Sequence, residues 1–159
     1  MAKSLEAPGP ALLRLWARLS PWPGGRWLFS RVLGFLVPYT DSIRPLIRVL
    51  EPGHARVDLR HRRGVRNHPR SVHAVALVNL AEVTSGLAML VGLPPTVRGI
   101  VTGISIEYLK KARGSLVAES SVTVPVVTAP CDHTVTASIR DPQGEVVAEA
   151  KVRWRLSPA

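Results

Sequence analysis

Apolar side chains fill nearly every position from Val72 to Val91, interrupted by His73, Asn79, Glu82, Thr84 and Ser85. A helix apolar on all sides has to be buried on all sides, so this stretch predicts a central helix enclosed by other elements. Ser71 stands where an N-cap is wanted, and Gly92 with Pro94-Pro95 ends the run. Around the helix the period is two. Ala55, Val57 and Leu59 alternate with Arg56, Asp58 and Arg60, which predicts a half-buried strand, and Pro52-Gly53 ahead of it marks a bend in a longer one. Four further strands are predicted at about 99–109, 114–124, 133–140 and 145–156. In the last, Val146, Ala148, Ala150, Val152, Trp154 and Leu156 face one way, and Val147, Glu149, Lys151, Arg153 and Arg155 the other. Asp141-Pro142-Gln143-Gly144 joins the last two strands as a hairpin turn. One helix apolar all round and a set of antiparallel strands are reconciled by a single curved sheet wrapped around that helix.

Residues 1–42 follow a different pattern. Leu12, Leu15, Trp16 and Leu19 recur at helical spacing with Arg14 and Arg18 opposite, Ser20-Pro21-Trp22-Pro23-Gly24-Gly25 breaks the pattern, and Trp27–Val37 predicts a second helix stopped by Pro38. The division is an N-terminal helical extension over 1–42 and a main domain over 43–157. The extension predicts a cover packed on that domain; its arginines and tryptophans also fit peripheral contact with a membrane surface.

Composition narrows the function classes. With 21 Lys and Arg against 11 Asp and Glu, the net charge is +10, which favours a polyanionic or phosphate-bearing partner. The basic residues are scattered and carry no nucleic-acid-binding motif, so no nucleic-acid partner is expected. The single cysteine, Cys131, excludes an internal disulfide framework and fits a reducing compartment. No stretch is long and apolar enough to span a bilayer, and the early segment lacks the features of a secretory signal; a cytoplasmic protein is the expectation. Cys131-Asp132-His133 has no partner at metal-ligand spacing, so no metal and no cofactor are expected.

Arg66-Asn67-His68-Pro69-Arg70-Ser71-Val72-His73-Ala74 leads into the apolar helix, and Leu80-Ala81-Glu82 lies one turn and more inside it. These residues resemble the acyl-CoA thioesterases of the hotdog fold, of the phenylacetate-pathway and 4-hydroxybenzoyl-CoA types, and most nearly a branch of undefined substrate. The pattern there is a loop Asn or Gln, then His-Gly-Gly at the helix start, and an acid eight residues after the first glycine. Here Asn67 matches the amide, His73-Ala74-Val75 occupies the His-Gly-Gly position, and the acid falls on Glu82. Ile104–Gly114 resembles a later strand and its turn. The resemblance implies an α+β hotdog fold with a five-stranded antiparallel sheet around the helix, hydrolysis of an acyl-CoA thioester, and a site at the interface of a homodimer or a dimer of dimers. Both glycines are replaced. Ala74 keeps the backbone N–H, whereas Val75 narrows the slot that a thioester must enter.

The residues themselves carry compatible chemistry. A helix start offers free N–H groups and partial positive charge to a developing oxyanion, here at Ala74. Glu82 lies eight residues on, about 12 Å along the helix axis, too far to act on a carbonyl held at its own helix start. The implied shared site resolves this, with Glu82 from the partner as base or nucleophile and Asn67 orienting water or carboxylate. Burial is expected to raise the Glu82 pKa. The structural alternative is a core carboxylate paired with an arginine across the interface. His73 is either a helix-start histidine bonded to backbone or a proton carrier. Lys110, Lys111 and Arg113 are candidates for the CoA phosphates, with Val75 shaping the acyl slot. A non-catalytic acyl-CoA or lipid-binding hotdog domain is the competing function.

Overall fold

The computed structural model describes residues 8–158. The first seven residues of the predicted extension, including Glu6, lie outside the described residues. Three helices open the chain: α1 over Gly9–Leu19, α2 over Gly25–Leu36 and the short α3 over Pro38–Asp41. Strands β1 (Leu46–Glu51) and β2 (His54–Leu59) follow, then a 3-10 turn at Arg63–Val65 and the long helix α4 over Ala74–Leu90. Strands β3 (Val97–Tyr108), β4 (Leu116–Ser121), β5 (Cys131–Arg140) and β6 (Val146–Pro158) complete the domain.

The six strands form one sheet in the order β1-β2-β4-β5-β6-β3, with antiparallel pairing throughout. The sequence predicts five strands; the sixth arises because Pro52-Gly53 is a hairpin turn and not a bend. Gly53 has φ +85°, a conformation open to glycine at little cost. Its N–H donates to the Ala88 carbonyl of α4 at 2.8 Å, which pins the hairpin tip to the helix.

Helix α4 lies across the sheet and is covered on most of its surface, as its composition requires: Leu80, Ala81, Thr84, Ser85, Ala88 and Met89 are fully buried. Truncating a core leucine such as Leu80 to alanine costs about 2–5 kcal/mol at a site of this kind. Thr84 avoids an unsatisfied hydroxyl by donating to the Leu80 carbonyl at 2.6 Å. The polar Asn79 is satisfied by the Tyr39 carbonyl at 3.1 Å and the Ser42 hydroxyl at 3.3 Å, which ties α4 to α3.

Strand β6 keeps the predicted alternation along its length, apart from Val147, which is buried as well. Strand β3 does not alternate simply. A bulge between Val101 and Gly103 shifts the register, so the positions on the helix side change from Val97, Gly99 and Val101 to Ile104, Ile106 and Tyr108. Beyond the bulge the strand is only partly covered, and Ile104 and Tyr108 stay 40% and 49% exposed. Strand β3 is also an edge, with one side unpaired within the chain.

The N-terminal helices pack on the domain through their predicted inner faces. Phe29 is fully buried and meets the Trp16 ring edge-on at 5.1 Å. Gly9 lies so close to α4 that an added Cβ would sit 2.1 Å from the Leu90 carbonyl oxygen. The second helix runs over Gly25–Leu36, two residues earlier at its start than the apolar run suggests, because Gly24 and Gly25 join its cap.

Candidate functional site

The loop from Arg60 to His73 is built around one amide. The Asn67 side-chain oxygen accepts from both the Ser71 N–H and the Ser71 hydroxyl, each at 3.0 Å, and the Asn67 N–H donates to the Ser71 carbonyl at 2.9 Å. This ring of bonds holds Arg70 at φ +59°, which costs a non-glycine residue of order 1 kcal/mol or more. It also withdraws Ser71 from the helix. The N-cap is therefore His73 and not Ser71: His73 Nδ1 accepts from the Val75 N–H at 3.1 Å. An accepting Nδ1 is unprotonated and leaves the neutral ring's proton on Nε2, so His73 is the backbone-bonded histidine of the two readings in this chain's own contacts. His68 is exposed in the loop.

The cap does not reach every donor of the first turn. Among the described residues the Ala74 N–H has no acceptor, and Ala74 is exposed at the positive end of α4. Val75 beside it is 53% exposed. Tyr108 of β3 closes the other side, its hydroxyl donating to the Ala74 carbonyl at 3.1 Å, and burial pushes its phenol pKa up. His73, Val75, Ala76 and Asn79 share a hollow of about 210 Å³ with Tyr39 and Val65. Tyr39 and Tyr108 are site-shaping residues that the sequence does not single out, since each reaches α4 from a separate element.

Glu82 lies two turns further along α4 and is half-buried. No hydrogen bond or ion pair reaches its carboxylate among the described residues, so a partner for it, arginine or substrate, is to be sought across an interface. Burial raises its pKa, because the charged form loses hydration with nothing to replace it.

The phosphate candidates divide. Lys110 is engaged inside the chain, 2.9 Å from Asp141 and also paired with Glu145. Lys111 and Arg113 are exposed on the same turn. That turn is stitched to the Arg60–His73 loop by the Val72 N–H, which donates to the Ala112 carbonyl at 2.7 Å, and by the His61 N–H, which donates to Ser115 Oγ at 3.3 Å. The loop contributes Arg63, Arg66 and Arg70, which with Asn67 line an open hollow of about 510 Å³. Among the described residues none of these three guanidinium groups has a carboxylate partner. The run of cations from Arg60 to Arg70 is their sequence signal.

Among the described residues no group of three or more His, Cys, Asp or Glu side chains is placed to hold a metal. Asp132 of the Cys131-Asp132-His133 run pairs with Arg155 at 3.1 Å. Among them, too, no helix is long and apolar enough to cross a membrane.

The family model for a domain of unknown function, DUF4442, matches residues 25–156. The chain belongs to that family. The DUF4442 match takes in α2 and α3 as well as the sheet and α4, so the helical extension from Gly25 onward falls inside the family's domain, while α1 precedes it. Comparison with curated proteins gave no match. Among solved structures, the chain is similar to the structural-genomics protein APC5556 at 29% identity, with a TM-score of 0.79 over 93% of this chain and 98% of that one. It is similar to a protein of unknown function from Pseudomonas aeruginosa, called a probable thioesterase, at 22% identity and a TM-score of 0.75, covering 87% of this chain and 97% of that one. A thioesterase from Haemophilus influenzae shares 13% identity at a TM-score of 0.68, over 79% and 88% of the two chains. The chain thus has the α+β hotdog fold of these thioesterase structures.

Proposed function

We propose that this protein is a thioesterase that hydrolyses acyl-CoA at a site shared between two subunits. The observation that carries the reading is Glu82, a half-buried carboxylate on a nearly apolar helix with no partner among the described residues. A group in that state is costly to keep unless a second molecule uses it. The hotdog fold shared with the probable thioesterase and the Haemophilus enzyme agrees with this chemistry.

The two halves of the site come from different protomers. The Ala74 N–H of one donates to the thioester carbonyl oxygen as negative charge develops there. Glu82 of the other removes a proton from water while the water oxygen attacks the carbonyl carbon; the tetrahedral species then collapses and expels the CoA thiolate. Asn67 directs its Nδ2 donors to water or carboxylate, its oxygen being held by Ser71. His73 fixes the helix start and carries its Nε2 proton at the mouth. The exposed apolar positions Ile104 and Tyr108 on the free edge β3 are the surface where the partner docks.

Arg63, Arg66 and Arg70, with Lys111 and Arg113 on the adjoining turn, grip the phosphates of CoA; Lys110, engaged by Asp141 and Glu145, supports that turn. The cytoplasm, where free CoA thioesters occur, is the matching compartment. A non-catalytic acyl-CoA-binding role is the second reading, favoured by one observation: Val75, and not a glycine, lines the hollow at the start of α4 and is 53% exposed there. Free-thiol release from a panel of short, long and aromatic acyl-CoAs, wild type beside Glu82→Gln, decides between them. Turnover that collapses in the variant supports the thioesterase. Turnover that persists excludes the Glu82 mechanism, and acyl-CoA binding without turnover in the wild type favours the second reading.

A further inference from the structure

The outer face of the N-terminal helices is unusually apolar for a surface already folded onto its own domain. Trp22 is 71% exposed, Trp27 61%, Phe35 85%, Leu36 60% and Tyr39 69%. Leu28 and Phe35, seven residues apart on α2, share one face of the helix with Leu36, and α3 extends that face to Tyr39. A patch of this kind marks an interaction surface and not ordinary solvent exposure.

The charges of the segment select its partner. Between Pro8 and Thr40 there is no acidic residue, while Arg14, Arg18, Arg26 and Arg31 all fall there. Arg31 is held by Asp41 at 2.9 Å, and Arg26 lies over the Trp16 ring at 6.0 Å. Among the described residues Arg14 and Arg18 have no acidic partner, and they stand on the exposed side of α1. A second copy docked face to face through a two-fold axis would bring these arginines against their own equivalents, and the carboxylate of α3, Asp41, is already held by Arg31. An anionic lipid surface satisfies both halves at once: phospholipid headgroups pair with the arginines, and the Trp, Tyr and Phe rings enter the boundary between headgroups and acyl chains.

We propose that the face formed by α2, α3 and the turn at Trp22 is a docking surface for an anionic membrane. Its far end is continuous with the candidate site, since Tyr39 shares a hollow with His73, Val75 and Asn79 at the start of α4. Docked this way, the site mouth faces lipid, and the acyl groups it meets first are membrane-soluble.

The test uses the whole protein and sedimentation with vesicles of phosphatidylcholine alone or phosphatidylcholine with phosphatidylglycerol. Binding is expected to the anionic vesicles only, and to weaken with added salt. Because one buried aromatic ring is worth a factor of about ten or more, Trp27→Ser with Phe35→Ser should abolish it, and Arg14→Gln with Arg18→Gln should weaken it. All four positions are exposed or half-exposed, so an unchanged melting temperature separates lost docking from lost folding. The proposal is overturned if anionic vesicles are not bound, if the double aromatic variant binds as well as wild type, or if that variant changes the oligomeric state, which would make the face a subunit contact. Vesicle binding is read without turnover, so its failure leaves the thioesterase reading untouched.

Discussion

Asn67 and Ser71 form a closed unit, in which one amide oxygen accepts both the backbone N–H and the hydroxyl of the serine at 3.0 Å. Ser71 is 5% exposed, so removing the acceptor leaves two buried donors without a partner. Asn67→Ala should therefore cost about 1–3 kcal/mol of stability. Asn67→Asp keeps the oxygen acceptors but deletes the Nδ2 donors. It is expected to hold the melting temperature near that of wild type while turnover falls. Thermal melts and thiol release on the two variants separate the loop-building oxygen from the water-orienting nitrogen; equal turnover in Asn67→Asp and wild type would remove Asn67 from the chemistry.

Glu82 couples stability to activity in opposite senses. Burial raises its folded-state pKa, so the folded chain binds this proton more tightly than the unfolded chain does. The neutral form is then the stable one: stability is fully present below the unfolded value and declines as pH rises through the folded value. Glu82→Gln removes the charge and should raise the melting temperature above that pH, with little effect below it. Turnover should fall by about a hundredfold or more, the usual loss on removing a general base. In the wild type, the acidic limb of the pH–rate profile should lie above the ordinary glutamate value of about 4.3.

The elements legible in the sequence are those whose pattern is unbroken. Strand β6 keeps one period from Val146 to Leu156, and α4 is apolar on every side, so both can be read directly. Strand β3 hides its register because the bulge at Thr102 moves the helix-facing set from odd to even positions. Strands β1 and β2 merge into one bent strand on paper, since Pro52-Gly53 reads equally as bend or hairpin. The site divides in the same way. Helix start and acid stand at a fixed spacing on one element, whereas the Ser71 cap fails because Asn67 competes for it from four residues away. Lys110 reads as a free cation because its partners Asp141 and Glu145 lie 31 and 35 residues distant.

The free edge of β3 predicts the oligomer's weak point. Ile104 faces the helix side but is only partly covered, and among the described residues its strand has no neighbour beyond it. A lysine there places a charge on an edge that would otherwise pair, the device by which natural edge strands stay unpaired. Ile104→Lys should shift the protein toward monomer in sedimentation velocity and lower turnover in proportion, because Ala74 and Glu82 of opposite subunits no longer meet. A monomeric variant with full turnover would exclude the shared site.

Val75 carries the clearest prediction about substrate. Its side chain is 53% exposed at the first turn of α4, while its N–H is already committed to His73 Nδ1. Deleting the side chain therefore changes the slot without touching the cap. Val75→Gly should cost no more than about 1 kcal/mol, the propensity of glycine in a helix, and less this near the helix end. With the slot widened, kcat/KM should rise for bulky aromatic acyl-CoAs and change little for short straight chains. A uniform change across the panel would mean that Val75 acts through the helix start and not through the shape of the slot. If only the binding of unhydrolysed acyl-CoA tightens, the projecting valine limits access to a site that does no chemistry.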